Sequence, residues 1–369
     1  MLFGKIIIHG RLSKKITKYV FLQGVKRYIN TFRLKCLDEN DNKYAKIYEI
    51  LINQKMNKIN LKRSRILLTG GGGFVGTHVY KKLLERGLKN ENIIVPRSKK
   101  YDLRDKKTAL KLTKNIDIVI HLAGNVGGIG YNRDYPGALF YDNLTMGINL
   151  IEAARLNKVK KFVCIGTICS YPKFTPVPFK EKNLWNGYPE ETNAPYGIAK
   201  KALLVMLQAY RQQYDFNGIY LLPVNMYGPD DNFDPRSSHV IPALLRKIQN
   251  AIDNNEKKIV VWGNGSATRE FFYVEDAAEA IVLATEKYGK SDPVNIGAGF
   301  EISIKELTNL IAKLMNFKGK ILWDKSKPNG QPRRMLDVSK AKKEFRFIAK
   351  TNFNIGLKLT IEWFKKNKN

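Results

Sequence analysis

Short apolar runs alternate along the chain with longer stretches in which apolar residues return every three or four positions. Ile66-Leu67-Leu68, Ile93-Ile94-Val95, 116–120, 162–165 and Leu221-Leu222 are unbroken apart from Asp117, as parallel strands covered on both faces require. Between them the spacing predicts helices over 77–86, 106–114, 143–156 and 196–210, and a later one over 243–249. Strand and helix taking turns in this way predict an α/β fold with a doubly wound parallel (Rossmann) sheet. Such sheets bind ligands at the C-terminal ends of their strands, which directs attention to the residues leaving each apolar run. The 369 residues suffice for that domain and a smaller second lobe.

Composition changes this picture little. Hydrophobic residues make up 44% of the chain, and no run of about 18 apolar residues marks a membrane span. Cys36, Cys164 and Cys169 lack CxxC spacing and the four histidines are scattered. Neither a disulfide framework nor a metal centre is therefore expected, and a reducing, cytoplasmic setting fits. The net charge of +31 invites a nucleic-acid partner. Yet the lysines are spread along the whole chain, with no RNP-like or helix-turn-helix signature. A lysine-rich solvated surface explains the excess, and an anionic small molecule is the expected partner in preference to nucleic acid.

The first 64 residues differ from the rest. No Asp or Glu precedes Asp38, and through Lys55 there are 12 basic and 4 acidic residues. A basic, acid-poor segment reads as an organelle-targeting presequence or as an amphipathic element on a membrane surface. Alternatively, translation starts at Met56, ten residues before the first strand. All three readings stay open.

The first strand feeds Gly70-Gly71-Gly72-Gly73-Phe74-Val75-Gly76, and a helical pattern follows. Strand, glycine turn and helix are the context of a dinucleotide fingerprint, in which bare backbone approaches a pyrophosphate at a helix N-terminus. After the second strand come Arg97, Ser98 and Lys99, where an NAD site would place an acid on the ribose 2′-hydroxyl. Arg97 and Lys99 instead suit a 2′-phosphate, which points to NADP(H). Asp102 and Leu103 are candidates for the adenine side. The small-residue end Leu122-Ala123-Gly124 would let the cofactor pass close to the backbone. Ile165, Gly166, Pro223, Val224, Asn225 and Met226, also at strand ends, complete the cofactor-binding set.

Tyr196-Gly197-Ile198-Ala199-Lys200 places a phenol and an ammonium at i and i+4 on one helix face. The ammonium favours the ionised phenol, which can exchange a proton with a carbonyl oxygen while hydride moves at the carbon. Thr167, just beyond the strand at 162–165, could hold the same oxygen. Tyr/Lys pairs at this spacing are also ordinary helix surface, so the motif gains meaning only from its company.

With these pieces assembled, residues 65–369 resemble the extended short-chain dehydrogenase/reductase superfamily. More narrowly they resemble the GDP-L-fucose synthase family of GDP-4-keto-6-deoxy-D-mannose 3,5-epimerase/4-reductases. The segments that carry the likeness are VGGI (126–129), Cys169 with Tyr171-Pro172-Lys173, YGIAK (196–200), NMYGPDDNF (225–233) and SHVIPALL (238–245), with WGNGSATREF (262–271) and SKPNGQPRRMLDV (326–338). The resemblance implies that Thr167, Tyr196 and Lys200 serve reduction at C4. It also implies that Cys169 and His239 form the acid/base pair that inverts C3 and C5, and that His239 borders the cofactor. Lys247, Trp262, Arg269, Asn329 and Arg334 are implied for the GDP-sugar. Thr167 stands where Ser is usual, Ile168 replaces a second Ser, Asn329 an Asp, and Gly72 an Arg that some members place by the 2′-phosphate.

The expected layout is a basic extension (1–64), an NADP-binding Rossmann domain (65–235) and a mainly substrate-binding lobe (236–369) that partly returns to the first domain. The helices around 143–156 and 196–210 resemble the family's dimer-forming pair, so a homodimer is expected. A related GDP-deoxysugar or GDP-heptose reductase or epimerase, and a non-catalytic dinucleotide-binding sensor or scaffold, are the competing readings.

Overall fold

Apolar runs become the strands of a central sheet because each buries both faces. β1 (Ile66–Thr69), β3 (Ile118–His121), β4 (Lys161–Ile165) and β5 (Gly218–Pro223) are buried along their whole length. With β2 (Ile93–Ile94) and β10 (Val294–Ile296) they form a six-stranded, wholly parallel sheet in the order β10-β5-β4-β3-β1-β2. This computed structural model describes residues 59–327 and 330–367. The readings of residues 1–58 and of Asn329 lie outside them. Residues 59–64, assigned to the extension, belong in part to the fold: Leu61 is buried in the core beneath the sheet.

The chain leaves β1 in one direction to reach β2, then crosses to β3 on the other side. The crevice between the C-terminal ends of β1 and β3 is therefore a topological switch point. Helices α1 (Phe74–Glu85), α2 (Lys106–Leu112), α4 (Pro136–Leu156) and α5 (Ala194–Tyr214) cover the sheet, and a short α3 (Ile129–Asp134) precedes α4. Three of these, α1, α4 and α5, are longer than the apolar spacing suggests. α4 starts at Pro136, whose fixed φ suits a first helical turn, and its first turns leave Phe140 and Tyr141 exposed. β3 begins two residues later than expected. Asp117 stays outside it, accepting from the Arg65 amide (2.8 Å) and from Lys160 Nζ (2.7 Å).

A second core gathers Ile241, Leu245, Ile248, Ile259, Phe271, Ile311 and Leu357. They come from α6 (Val240–Asp253), β7 (Lys258–Trp262), β9 (Phe271–Tyr273), α8 (Ile304–Leu314) and α10 (Phe353–Asn367). Here β7 pairs with β12 (Lys320–Asp324) and β9 with β6 (Asn225–Tyr227). β8 (Thr268–Arg269) is flanked by β11 (Ile302–Ser303) and β13 (Arg333–Arg334). Between these pieces the chain returns to the first core through α7 (Val274–Lys287), β10 and α9 (Ser339–Phe345). No described helix is long and apolar enough to cross a membrane.

Candidate active site

The turn from β1 into α1 leaves no room for side chains. Gly70 has φ +73°, and a Cβ there would lie 2.6 Å from the Ala123 amide nitrogen after β3. A Cβ at Gly76 would lie 2.0 Å from the Gly70 carbonyl oxygen. Turn, helix start and neighbouring strand end thus pack backbone to backbone, and the amides at the N-terminus of α1 face the crevice. The guanidinium of Arg97 crosses this turn: a Cβ on Gly72 would meet its Nη1 at 1.5 Å. The cation therefore fills the space that a side chain at position 72 would take. Lys99 is exposed like Arg97 but lies off the cavity wall, because 97–101 forms a turn whose inner side carries Arg97, Ser98 and Tyr101. Gly71 is likewise off the wall, packed on Leu68 and Val95.

The switch-point crevice opens into one cavity of about 1380 Å³ that runs from the glycine turn to the second core. Its wall includes Asp102, Leu103, Leu122, Ala123, Ile165, Gly166, Thr167, Cys169, Tyr196, Lys200, His239, the segment 223–226, Lys247, Trp262, Arg269 and Arg334. The carboxylate of Asp102 is forked to Arg104 (2.8 Å to Nη2), which also donates to Asp142 at 3.0 Å. Sequence reading missed Arg104, whose partner Asp142 lies 38 residues away.

Thr167 caps a 3₁₀ turn, its Oγ1 accepting from the Cys169 amide at 3.1 Å. This turn carries Cys169 forward into the cavity. Cys169 Sγ lies 3.7 Å from Asn193 Oδ1 and 3.7 Å from Arg334 Nη1. Asn193 Oδ1 in turn accepts from Asn132 Nδ2 at 3.0 Å, and Asn193 Nδ2 donates to the Glu190 carboxylate. Arg334 is fixed by Gln331 (Nε to Oε1, 2.7 Å). Asn132, Glu190, Asn193 and Gln331 were not singled out from sequence, since isolated amides and acids carry no local signal.

Burial shapes the electrostatics of the Tyr196–Lys200 pair. Burial holds the Tyr196 phenol above its ordinary range, the nearby Cys169 and Cys164 add to this, and only Thr167 pulls it down. Lys200, buried in the cavity wall, is itself pushed below the usual lysine range by desolvation. Burial thus opposes ionisation of the phenol. Below Lys200 sits His121, fully buried, with Nδ1 2.8 Å from Thr69 Oγ1 and Nε2 without a hydrogen-bond partner among the described residues. Desolvation, aided by the Lys200 charge, drives it down to about 3, so the ring is neutral.

His239 caps α6 and projects into the cavity, where solvent reaches the ring although protein walls surround it. Those walls hold its pKa below the ordinary histidine value. Lys247, about two helix turns further, donates to the Val260 carbonyl at 2.5 Å. The buried carboxylate of Glu270 accepts from the amides of Ala298, Gly299 and Leu336 (2.6–2.8 Å) and so joins β8 and β13, which carry Arg269 and Arg334.

The comparisons agree with this geometry. Residues 66–297 match the NAD dependent epimerase/dehydratase family. GDP-L-fucose synthase 1 of Arabidopsis thaliana is 37% identical over 319 residues, 86% of this chain and 98% of that one. A GDP-L-fucose synthetase from Naegleria fowleri, solved bound to NADP, superposes with TM-score 0.76 at 28% identity, over 83% of this chain and 95% of that one. A GDP-6-OMe-4-keto-L-xylo-heptose reductase from C. jejuni superposes with TM-score 0.78 at 27% identity, over 84% and 100%. The chain therefore belongs to the NAD dependent epimerase/dehydratase family and, within the extended short-chain dehydrogenase/reductase superfamily, to the GDP-L-fucose synthases.

Proposed function

We propose that the protein converts GDP-4-keto-6-deoxy-D-mannose to GDP-L-fucose by 3,5-epimerisation and NADPH-dependent 4-reduction. The observation that carries this reading is that Cys169, His239, Tyr196 and Thr167 line one cavity together with the glycine turn. A sensor or scaffold would have no need of that convergence. The bare turn at Gly70, Gly72 and Gly76 fits a dinucleotide pyrophosphate, and Arg97 over Gly72 fits a 2′-phosphate. When bound, NADPH supplies the hydride that C4 accepts.

Cys169 and His239 remove and return the protons at C3 and C5, which are acidic because they lie alpha to the C4 ketone. Each inversion breaks a C–H bond on one face and re-forms it on the other. Meanwhile the C4 oxygen bears the developing charge under the hydroxyls of Thr167 and Tyr196. In the reduction, the high phenol pKa suits Tyr196 to donate the proton that the C4 oxygen takes up. Lys247, Arg269 and Arg334 neutralise the diphosphate and Trp262 borders the base or sugar. With these roles goes the division into a cofactor domain (65–235) and a mainly substrate-binding lobe, and a homodimer through α4 and α5.

The test supplies the ketosugar in deuterated water with and without NADPH. Wild type incorporates deuterium at C3 and C5 without NADPH and consumes one NADPH per sugar. Tyr196→Phe lowers NADPH oxidation about 10²-fold or more and retains exchange, whereas Cys169→Ser suppresses exchange. Wild-type reduction with no deuterium incorporation would instead favour a single-activity reductase, as the C. jejuni neighbour's name describes.

A further inference from the structure

Two side chains of opposite hydrogen-bonding character meet the sulfur of Cys169. Sγ lies 3.7 Å from Asn193 Oδ1, which can only accept, and 3.7 Å from Arg334 Nη1, which can only donate. The Asn193 amide is fixed in its orientation. Its Nδ2 donates to the Glu190 carboxylate, and its Oδ1 accepts from Asn132 Nδ2 at 3.0 Å, so the oxygen is the end that faces sulfur. Glu190 is held in turn by the Thr192 hydroxyl, which donates to it at 2.7 Å. Asn132 and Asn193 are both buried. Arg334 is fixed through Nε to Gln331 Oε1 at 2.7 Å, and Gln331 Nε2 donates to the Lys173 carbonyl at 2.6 Å.

The backbone holds these groups in register. Asn193 stands at the start of α5, the helix of Tyr196, where its side chain caps no amide. In the first turn of that helix a Cβ on Gly197 would lie 2.3 Å from the Cys169 carbonyl oxygen, and Ser170 Oγ donates to the Gly197 carbonyl at 2.9 Å. The 3₁₀ turn of Cys169 and the start of α5 therefore pack backbone to backbone.

A side chain that exchanges protons with carbon passes through two protonation states, and each needs its own partner. A thiol needs an acceptor, a thiolate a donor. We infer that Asn193, oriented by Glu190, is a positioning residue for proton transfer at Cys169, its Oδ1 receiving the S–H of the thiol while Arg334 Nη1 donates to the thiolate. When a C–H bond of the ketosugar breaks, its electron pair passes into the enolate at the C4 oxygen, and the new S–H bond is directed at Oδ1. When the thiol yields its proton, the lone pair left on sulfur accepts from Arg334. This role deepens the proposed epimerisation and rests on it.

Deuterium incorporation at C3 and C5 of GDP-4-keto-6-deoxy-D-mannose, followed without NADPH on the full-length protein, tests it as a split between kcat and KM. Asn193→Ala lowers the kcat of exchange roughly 10- to 100-fold, the range for a displaced reacting group, with the KM for the sugar and the affinity for NADPH at wild-type values. Glu190→Ala, which releases the amide, acts in the same direction. Glu190→Gln keeps an oxygen for Asn193 Nδ2 and restores exchange close to wild type. If Asn193→Ala loses NADPH binding through misfolding, the Glu190 pair decides alone. Unchanged exchange kcat, a rise in KM at unchanged kcat, or equal losses in Glu190→Ala and Glu190→Gln overturn the assignment. If wild type itself incorporates no deuterium, the epimerisation reading falls, a result distinct from wild-type exchange that Asn193→Ala leaves intact.

Discussion

At the scale of single residues, burial decides protonation in this site more than proximity does. His121 shows it most directly, because its folded pKa of about 3 lies well below that of an unfolded histidine. As pH falls from about 6.5 toward 3, the unfolded chain takes up a proton that the folded chain refuses. Stability contributed by the neutral ring is therefore present above this window and lost as pH falls through it. Between pH 6.5 and 4.5 the loss amounts to about 2–3 kcal/mol. Urea denaturation across that range measures it, and His121→Gln, which keeps a polar partner for Thr69, removes this part of the slope. An unchanged slope would show that the ring protonates in the folded state. The candidate catalytic side chains Tyr196, Lys200, Thr167 and Cys169 were legible in sequence because each belongs to a short motif. Asn193 and Glu190, which hold the surroundings of Cys169, were not, since their meaning comes from contacts made across the fold.

At the scale of elements, the meeting of two loops supports the proposed preference for NADPH. The β1–α1 turn offers backbone only, and the segment after β2 lays Arg97 across Gly72. The charge that some family members place at position 72 is here delivered from 25 residues downstream. Arg97→Gln should weaken NADPH binding roughly 10- to 100-fold, the range for losing a charged hydrogen bond. NADH, which lacks the 2′-phosphate, should be little affected. Fluorescence titration of both cofactors measures the ratio, and equal losses would place the 2′-phosphate away from Arg97. Sequence alone put Arg97 and Lys99 on equal footing. The turn at 97–101 separates them, because only one side of so tight a loop can face the crevice.

At the scale of the whole molecule, α4 and α5 pack on each other yet leave Phe140, Tyr141, Ile148 and Val205 exposed. Beside Phe140 lies a groove of about 410 Å³ lined by Pro136, Tyr188, Pro195 and Ile198. Exposed apolar residues on two neighbouring helices support the proposed dimer. The double variant Ile148→Glu, Val205→Glu should elute as a monomer in light scattering at micromolar concentration while retaining NADPH binding, whereas a dimer of unchanged mass would move the interface elsewhere.

Chain-local signals sufficed for the alternation of strand and helix, the glycine turn and the Tyr–Lys spacing, because hydrogen-bonding periods and backbone sterics act over a few residues. The place of β10 at the edge of the central sheet, the gathering of Arg104 with Asp102 and Asp142 and the raised phenol of Tyr196 were decided only by tertiary structure. Each depends on which distant groups the fold brings together, and that is a property of packing rather than of order along the chain.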